Sequence, residues 1–175
     1  MMMRLIKLLN KKEAGFTLIE VMVSIVITGF IGLGATMGSA QVLNETTRNN
    51  DYTTASRNAM NAVYWISRDA QMAQVISGSV GFPQTSALSL SWTDWNDSSY
   101  NATYSLANGR LTRSYNVDGQ VTSTLIAEFI NSSANMTGCV SVNGTLTLTI
   151  TSSVGEGSKI VDVTRVREMT ARPQL

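Results

Sequence analysis

Gly15-Phe16-Thr17-Leu18-Ile19-Glu20-Val21 opens a stretch in which no further charged side chain appears until Glu45, and this stretch decides the fold. As an α-helix rising 1.5 Å per residue, the segment from Phe16 to Leu43 extends about 42 Å, more than the roughly 30 Å hydrocarbon core of a bilayer. The Phe, Leu, Ile and Val residues between Phe16 and Leu33 favour insertion by roughly 3 to 7 kcal/mol, against about 2.5 to 3.5 kcal/mol for one central charge. Insertion therefore wins with Glu20 in place. The carboxylate still needs a cationic or hydrogen-bonding partner, unless it reaches the nearby interface.

Ahead of this run, Arg4, Lys7, Lys11 and Lys12 outnumber Glu13, and such flanking positive charge holds that end in the cytoplasm. Behind this basic leader, Gly15 through Glu20, followed by Val21, resembles the signature of type IV prepilins and type II secretion pseudopilins. The resemblance implies that a membrane-embedded aspartyl prepilin peptidase cuts between Gly15 and Phe16 and methylates the new Phe16 amine. It also implies that Glu20, then the fifth mature residue, pairs with the N-terminal amine of a neighbouring subunit. Gly15 suits such a cut because a residue without a side chain lets the peptide lie extended in a protease cleft.

Met37 stands where many major pilins carry a helix-kinking proline, which points toward a minor subunit or pseudopilin. Gly29, Gly32, Gly34 and Gly38 each weaken helix propensity by about 1 kcal/mol relative to alanine. Gly34 and Gly38 form a small-xxx-small pair suited to close helix contact. A secretory signal cut after Ala40 competes with the prepilin reading, but its apolar core is too long and contains Glu20.

Thirteen basic and 12 acidic residues give a net charge of +1, so no global field draws in nucleic acid or an acidic substrate. Cys139 is the only cysteine, which excludes an intrachain disulfide, a thiolate cluster or a redox pair. With no histidine, the commonest general base and metal ligand is missing, so the chain is read as a non-enzyme without cofactor.

After the polar stretch from Gln41 to Asp51, Ala55, Ala59, Val63, Ile66, Ala70, Ala73 and Ile76 recur at steps of three or four, predicting an amphipathic helix. Beyond Gly78 the apolar period shortens to two, as in Leu88, Leu90 and Trp92 or Leu146, Leu148 and Ile150. Asn108-Gly109, Asp118-Gly119 and Asn143-Gly144 mark hairpins, and Gly155 to Ser158 marks a turn before a strand from Lys159 to Arg167. The tail from Pro173 to Leu175 reads as loose. The expected fold is α+β and pilin-like: a leader over 1–15, a transmembrane and assembly helix over 16–43, a stalk helix over 44–77, and an antiparallel β domain over 78–175.

Trp65, Ser67, Arg68 and Asp69, followed by Tyr104-Ser-Leu and by Gly109-Arg-Leu-Thr-Arg113, resemble J-type minor pseudopilins and W-type minor pilins. With Glu20 present, that resemblance implies a place just beneath the filament tip. Asp94, Asn96, Asp97 and Ser99 offer oxygen ligands for calcium but lack the glycine and distal glutamate of a calcium loop, so a solvated turn is expected. Trp92, Trp95 and Tyr100 offer a contact patch, or pack on the sheet. Cys139 is read as a core residue or a lone thiol.

The functional expectation is a minor filament subunit of the cytoplasmic membrane, single-pass with its N-terminus inside. Its expected partners are the prepilin peptidase, other pilins, the inner-membrane assembly platform and lipid. An anchored extracytoplasmic binding protein, a secreted enzyme starting at Gln41, a competence pseudopilin and a major pilin are the alternatives.

Overall fold

A computed structural model describes residues 15–172. These fall into two compact units divided between Glu45 and Thr46, and the helix α1 (Leu18–Met72) contributes to both. In the first unit every described side chain is exposed, and an 18-residue window has a mean hydropathy of 2.1, long and apolar enough to cross a membrane. Its hydroxyls turn back onto the helix. Ser24 Oγ donates to the Glu20 carbonyl at 2.7 Å, Thr28 Oγ1 to Ser24 at 2.7 Å and Ser39 Oγ to Ala35 at 2.9 Å. A polar side chain bonded within its own helix asks nothing of a lipid surround.

In the second unit α1 buries Ala55, Ala59, Ala62, Val63, Ile66 and Ala70. The alanines on this face allow close approach of the sheets. A five-stranded antiparallel sheet runs in chain order through β1 (Val75–Ser77), β2 (Leu88–Thr93), β3 (Ser99–Ala107), β4 (Arg110–Val117) and β5 (Gln120–Ala127). A second antiparallel sheet contains β6 (Gly138–Val142), β7 (Thr145–Val154) and β8 (Val161–Thr170). Leu88, Leu90, Tyr104 and Leu111 of the first sheet share one core with Leu146, Leu148 and Ile150 of the second and with the alanine face of α1. The arrangement is the pilin-like α+β fold expected from the sequence, with its β structure divided between two sheets.

The three hairpins turn where expected. Asn108, Asp118 and Asn143 have φ of 51°, 48° and 49°, and the glycine after each is also left-handed. Two positive-φ residues in succession match the twist of the flanking strands, which is why Asn-Gly and Asp-Gly serve there.

The helical spacing read through Ile76 ends sooner. α1 stops at Met72, the Gln74 amide donates to the Ser91 carbonyl at 2.9 Å, and Ile76 pairs with Leu90 inside the first sheet. A step of three from Ala73 to Ile76 fits a helix, and it equally fits a turn leading to an inward strand position. Gly78 closes β1 at φ +73°, where an added Cβ would lie 1.9 Å from the Ala87 carbonyl oxygen, so no other residue fits. Lys159, expected at the start of the last strand, ends a short 3-10 turn, and β8 begins at Val161. The tail from Pro173 to Leu175 lies outside the described residues.

Ile66 is fully buried and Met60 is exposed on the same helix. Ile66→Ala is expected to destabilise the second unit by about 2 to 5 kcal/mol, whereas Met60→Ala changes stability by less than about 0.5 kcal/mol. Denaturant unfolding of the full chain in detergent checks both.

Candidate assembly segment and buried charge network

Gly15, Phe16 and Thr17 precede the first helical residue, so the proposed cleavage bond lies in non-helical backbone immediately before α1. Thr17 occupies the N-cap position. Its Oγ1 accepts from the Glu20 amide at 3.4 Å, and its carbonyl accepts from the amides of Glu20 at 3.0 Å and Val21 at 3.2 Å. Thr17-x-x-Glu20 has the spacing of a capping box, and a carboxylate in the first helical turn is favoured by the helix dipole. Glu20 thus has a local electrostatic reason to stand where it does, already encoded in the Thr17-x-x-Glu20 spacing.

Around Gly34 and Gly38 an added Cβ would meet nothing within 4 Å, as at Gly29 and Gly32. Among the described residues no contact requires these glycines.

The second unit holds a polar cluster in its interior. Asp69, 1% exposed, accepts two hydrogen bonds from the Arg113 guanidinium, Nε to Oδ2 at 2.7 Å and Nη2 to Oδ1 at 3.0 Å. Tyr104 Oη donates to Asp69 Oδ2 at 2.5 Å. The guanidinium carbon lies 4.1 Å from the Tyr115 ring centre and 5.3 Å from that of Trp65. Asp69 comes from α1, Tyr104 from β3 and Arg113 from β4, and Tyr104 and Arg113 are register partners. Burial first, and then the Asp69 carboxylate, push the Tyr104 phenol well above its ordinary value, so it stays a donor. All three residues belong to the segments that resembled J-type and W-type subunits. The sequence placed them in those segments, and only the fold joins them.

The other candidates separate. Asp94 Oδ1 accepts from the Trp95 amide at 2.8 Å, and the Asp97 amide bonds the Asp94 carbonyl at 3.1 Å, so these residues close a turn on themselves. Among the described residues no three His, Cys, Asp or Glu side chains gather as a metal site. Trp92 stacks on Tyr100 at 5.6 Å between ring centres, with Tyr115 beside both, while Trp95 stands apart at 87% exposure. The patch of Trp92, Trp95 and Tyr100 is therefore two separate features, because Trp92 points inward at the end of β2 and Trp95 lies in the loop beyond it. Cys139 is buried with Sγ 3.4 Å from the Ser79 carbonyl, and burial pushes its thiol up to about 12.

A model of the prokaryotic N-terminal methylation motif matches residues 10–36, the leader end and the first half of the apolar helix. The chain carries the N-terminal methylation motif of type IV prepilins and pseudopilins. The motif covers only the amino end of the chain, and no curated protein or solved structure matches the chain. The motif implies processing by a prepilin peptidase and assembly with other pilins, and the exposed apolar helix is consistent with membrane anchoring. The cluster around Asp69 lies outside the matched residues.

Asp69→Ala leaves Arg113 half-buried without its anion and is expected to cost about 3 to 5 kcal/mol, whereas Asp69→Leu combined with Arg113→Met recovers much of that loss. Equilibrium unfolding of single and double variants measures the difference. The thiol of Cys139 is raised in the folded state, so the stability gained by keeping it protonated is complete below its ordinary value of 9.0 and is lost as pH rises toward about 12. At neutral pH native protein should resist maleimide labelling and become reactive on unfolding, as followed by mass spectrometry.

Proposed function

We propose that this chain is a minor structural subunit of a type IV pilus or of a type II secretion pseudopilus. The observation carrying the proposal is the methylation motif over residues 10–36, set on a helix segment whose apolar side chains are all exposed. Such a surface is at rest only in lipid or against other apolar helices, and a filament core supplies the second environment after the bilayer supplies the first.

Cleavage between Gly15 and Phe16 leaves a methylated amine at the positive end of a helix dipole, where a cation is disfavoured by its own helix. The Glu20 carboxylate of an adjacent subunit offsets that charge, and an apolar surround strengthens the attraction relative to water. Glu20 therefore serves as the recruiting group, Phe16 as its cationic partner, and Gly34 and Gly38 as close-approach positions between packed helices. The absence of a proline at Met37 and the segments around Asp69, Tyr104 and Arg113 favour a minor subunit of the J or W type over a major pilin. Its peptidase acts on the cytoplasmic face, and the domain over Thr46–Leu175 stands outside the cytoplasmic membrane.

Mass spectrometry of membrane-extracted chain, coexpressed with a prepilin peptidase, is expected to show a polypeptide starting at Phe16 and carrying one methyl group. Gly15→Leu should leave the leader attached. Glu20→Ala should leave processing intact and abolish incorporation into filaments. A chain that keeps its leader, or one starting at Gln41, would sink the proposal in favour of an anchored binding protein or a secreted one.

A further inference from the structure

Among the described residues the two sheets end in four edge strands, and these are not equally guarded. A free edge presents backbone N–H and C=O groups, and proteins usually shorten it, charge it or cover it. β1 is three residues long. β8 carries Asp162, Arg165, Arg167 and Glu168 along its length. β6 is five residues long, and its Cys139 is tied to the Ser79 carbonyl. β5 has none of these devices. It is eight residues long, contains neither a charged residue nor a proline, and is exposed continuously from Gln120 to Leu125. The only irregularity in its pairing with β4 lies opposite Leu111 and Thr112, at the far end of the strand.

The sheet face turned away from α1 is also free of charge beside this edge. One row across the five strands reads Ser77, Ser89, Thr103, Ser114 and Ser123, and the next reads Val75, Ser91, Asn101, Asn116 and Val121. Asn101 holds the second row in place by donating to Ser89 Oγ at 2.9 Å and Ser91 Oγ at 2.8 Å. Val121 is 65% exposed and Leu125 is 42% exposed, four residues apart on that face. Charges occur only at the ends of the strand, and both ends are engaged. Arg110 pairs with Glu128 at 3.4 Å, and Asp118 accepts from the Ser99 amide at 2.9 Å.

We propose that the free edge of β5 is a docking strand that accepts an uncharged, extended segment of another polypeptide as a sixth strand. The chemistry of the edge selects this occupant. Outward N–H and C=O groups alternating along an extended backbone are matched by another extended backbone, so main-chain hydrogen bonds supply the attraction. Val121 and Leu125 take apolar side chains at alternate positions of the incoming strand, while Thr122 and Thr124 take β-branched or hydroxyl side chains on the other face. A charged residue in the incoming strand would lose water without meeting an opposite charge, which excludes charged segments. The inference concerns the second unit alone and does not depend on leader processing.

The test is hydrogen exchange on the full chain in detergent micelles with a doubly capped Thr-Val-Thr-Val-Thr-Val-Thr peptide as probe. Amides between Gln120 and Leu125 are expected to slow by about tenfold at saturating probe. The same peptide N-methylated at every residue should give no slowing, because it lacks the donors on both edges. Val121→Lys and Leu125→Lys, both on exposed side chains, should abolish the effect, and Ser141→Lys on β6 should leave it. The proposal is overturned by no slowing, by equal slowing with the N-methylated peptide, or by slowing that maps to β6 or β8. Protection of β5 that rises with the chain's own concentration without peptide would overturn it in favour of a second copy as occupant.

Discussion

One buried ion pair ties the helix of the second unit to two strands of its first sheet. Asp69 on α1 reaches Arg113 on β4 through two parallel hydrogen bonds and takes a third from Tyr104 on β3, so one carboxylate fixes both the rotation of the helix and the register of the two strands beneath it. A carboxylate so fully enclosed is costly unless its charge and lone pairs are met, and its geometry leaves little room for another helix rotation. Leu88, Leu90, Ile66 and the alanine face pack around that fixed point. Hydrophobic area supplies the bulk of the stabilisation, and the ion pair supplies the alignment.

The aromatic residues follow from the same constraint. Arg113, drawn inward by Asp69, lies over Tyr115 and beside Trp65, and Tyr115 continues into the stack of Tyr100 and Trp92. A guanidinium is weakly hydrated and planar, so ring faces replace part of its lost water while its fork holds the carboxylate. The cluster ends where β2 ends, and for that reason Trp95 in the following loop remains in solvent.

The two units obey different solvents. Between Thr46 and Met72 the helix has one alanine-rich face and buries it against its own sheets, whereas before Glu45 it is mostly apolar and its described side chains are all exposed. Hydroxyls in the first part bond their own helix, while hydroxyls on the first sheet form rows facing outward. The first unit exposes apolar side chains, and the outward face of the first sheet carries charge beside its open edge only at the strand ends.

The sequence by itself determined the elements whose cause is local. An unbroken apolar run defines an insertable helix, a step of three or four defines an amphipathic one, and Asn-Gly or Asp-Gly defines a hairpin, because each depends only on near neighbours along the chain. The segment from Gly15 to Glu20 was legible for the same reason, and it lies within residues 10–36, which the methylation motif matches. Tertiary structure alone decided the helix end at Met72, the division into two sheets, the meeting of Asp69 with Tyr104 and Arg113, and the separation of Trp92 from Trp95. Each depends on residues far apart in sequence: Asp69 and Arg113 are 44 positions apart, and no local spacing encodes their contact. Ile76 shows the limit most directly, since its spacing suited a helix and the backbone hydrogen bonds offered by β2 drew it into a strand.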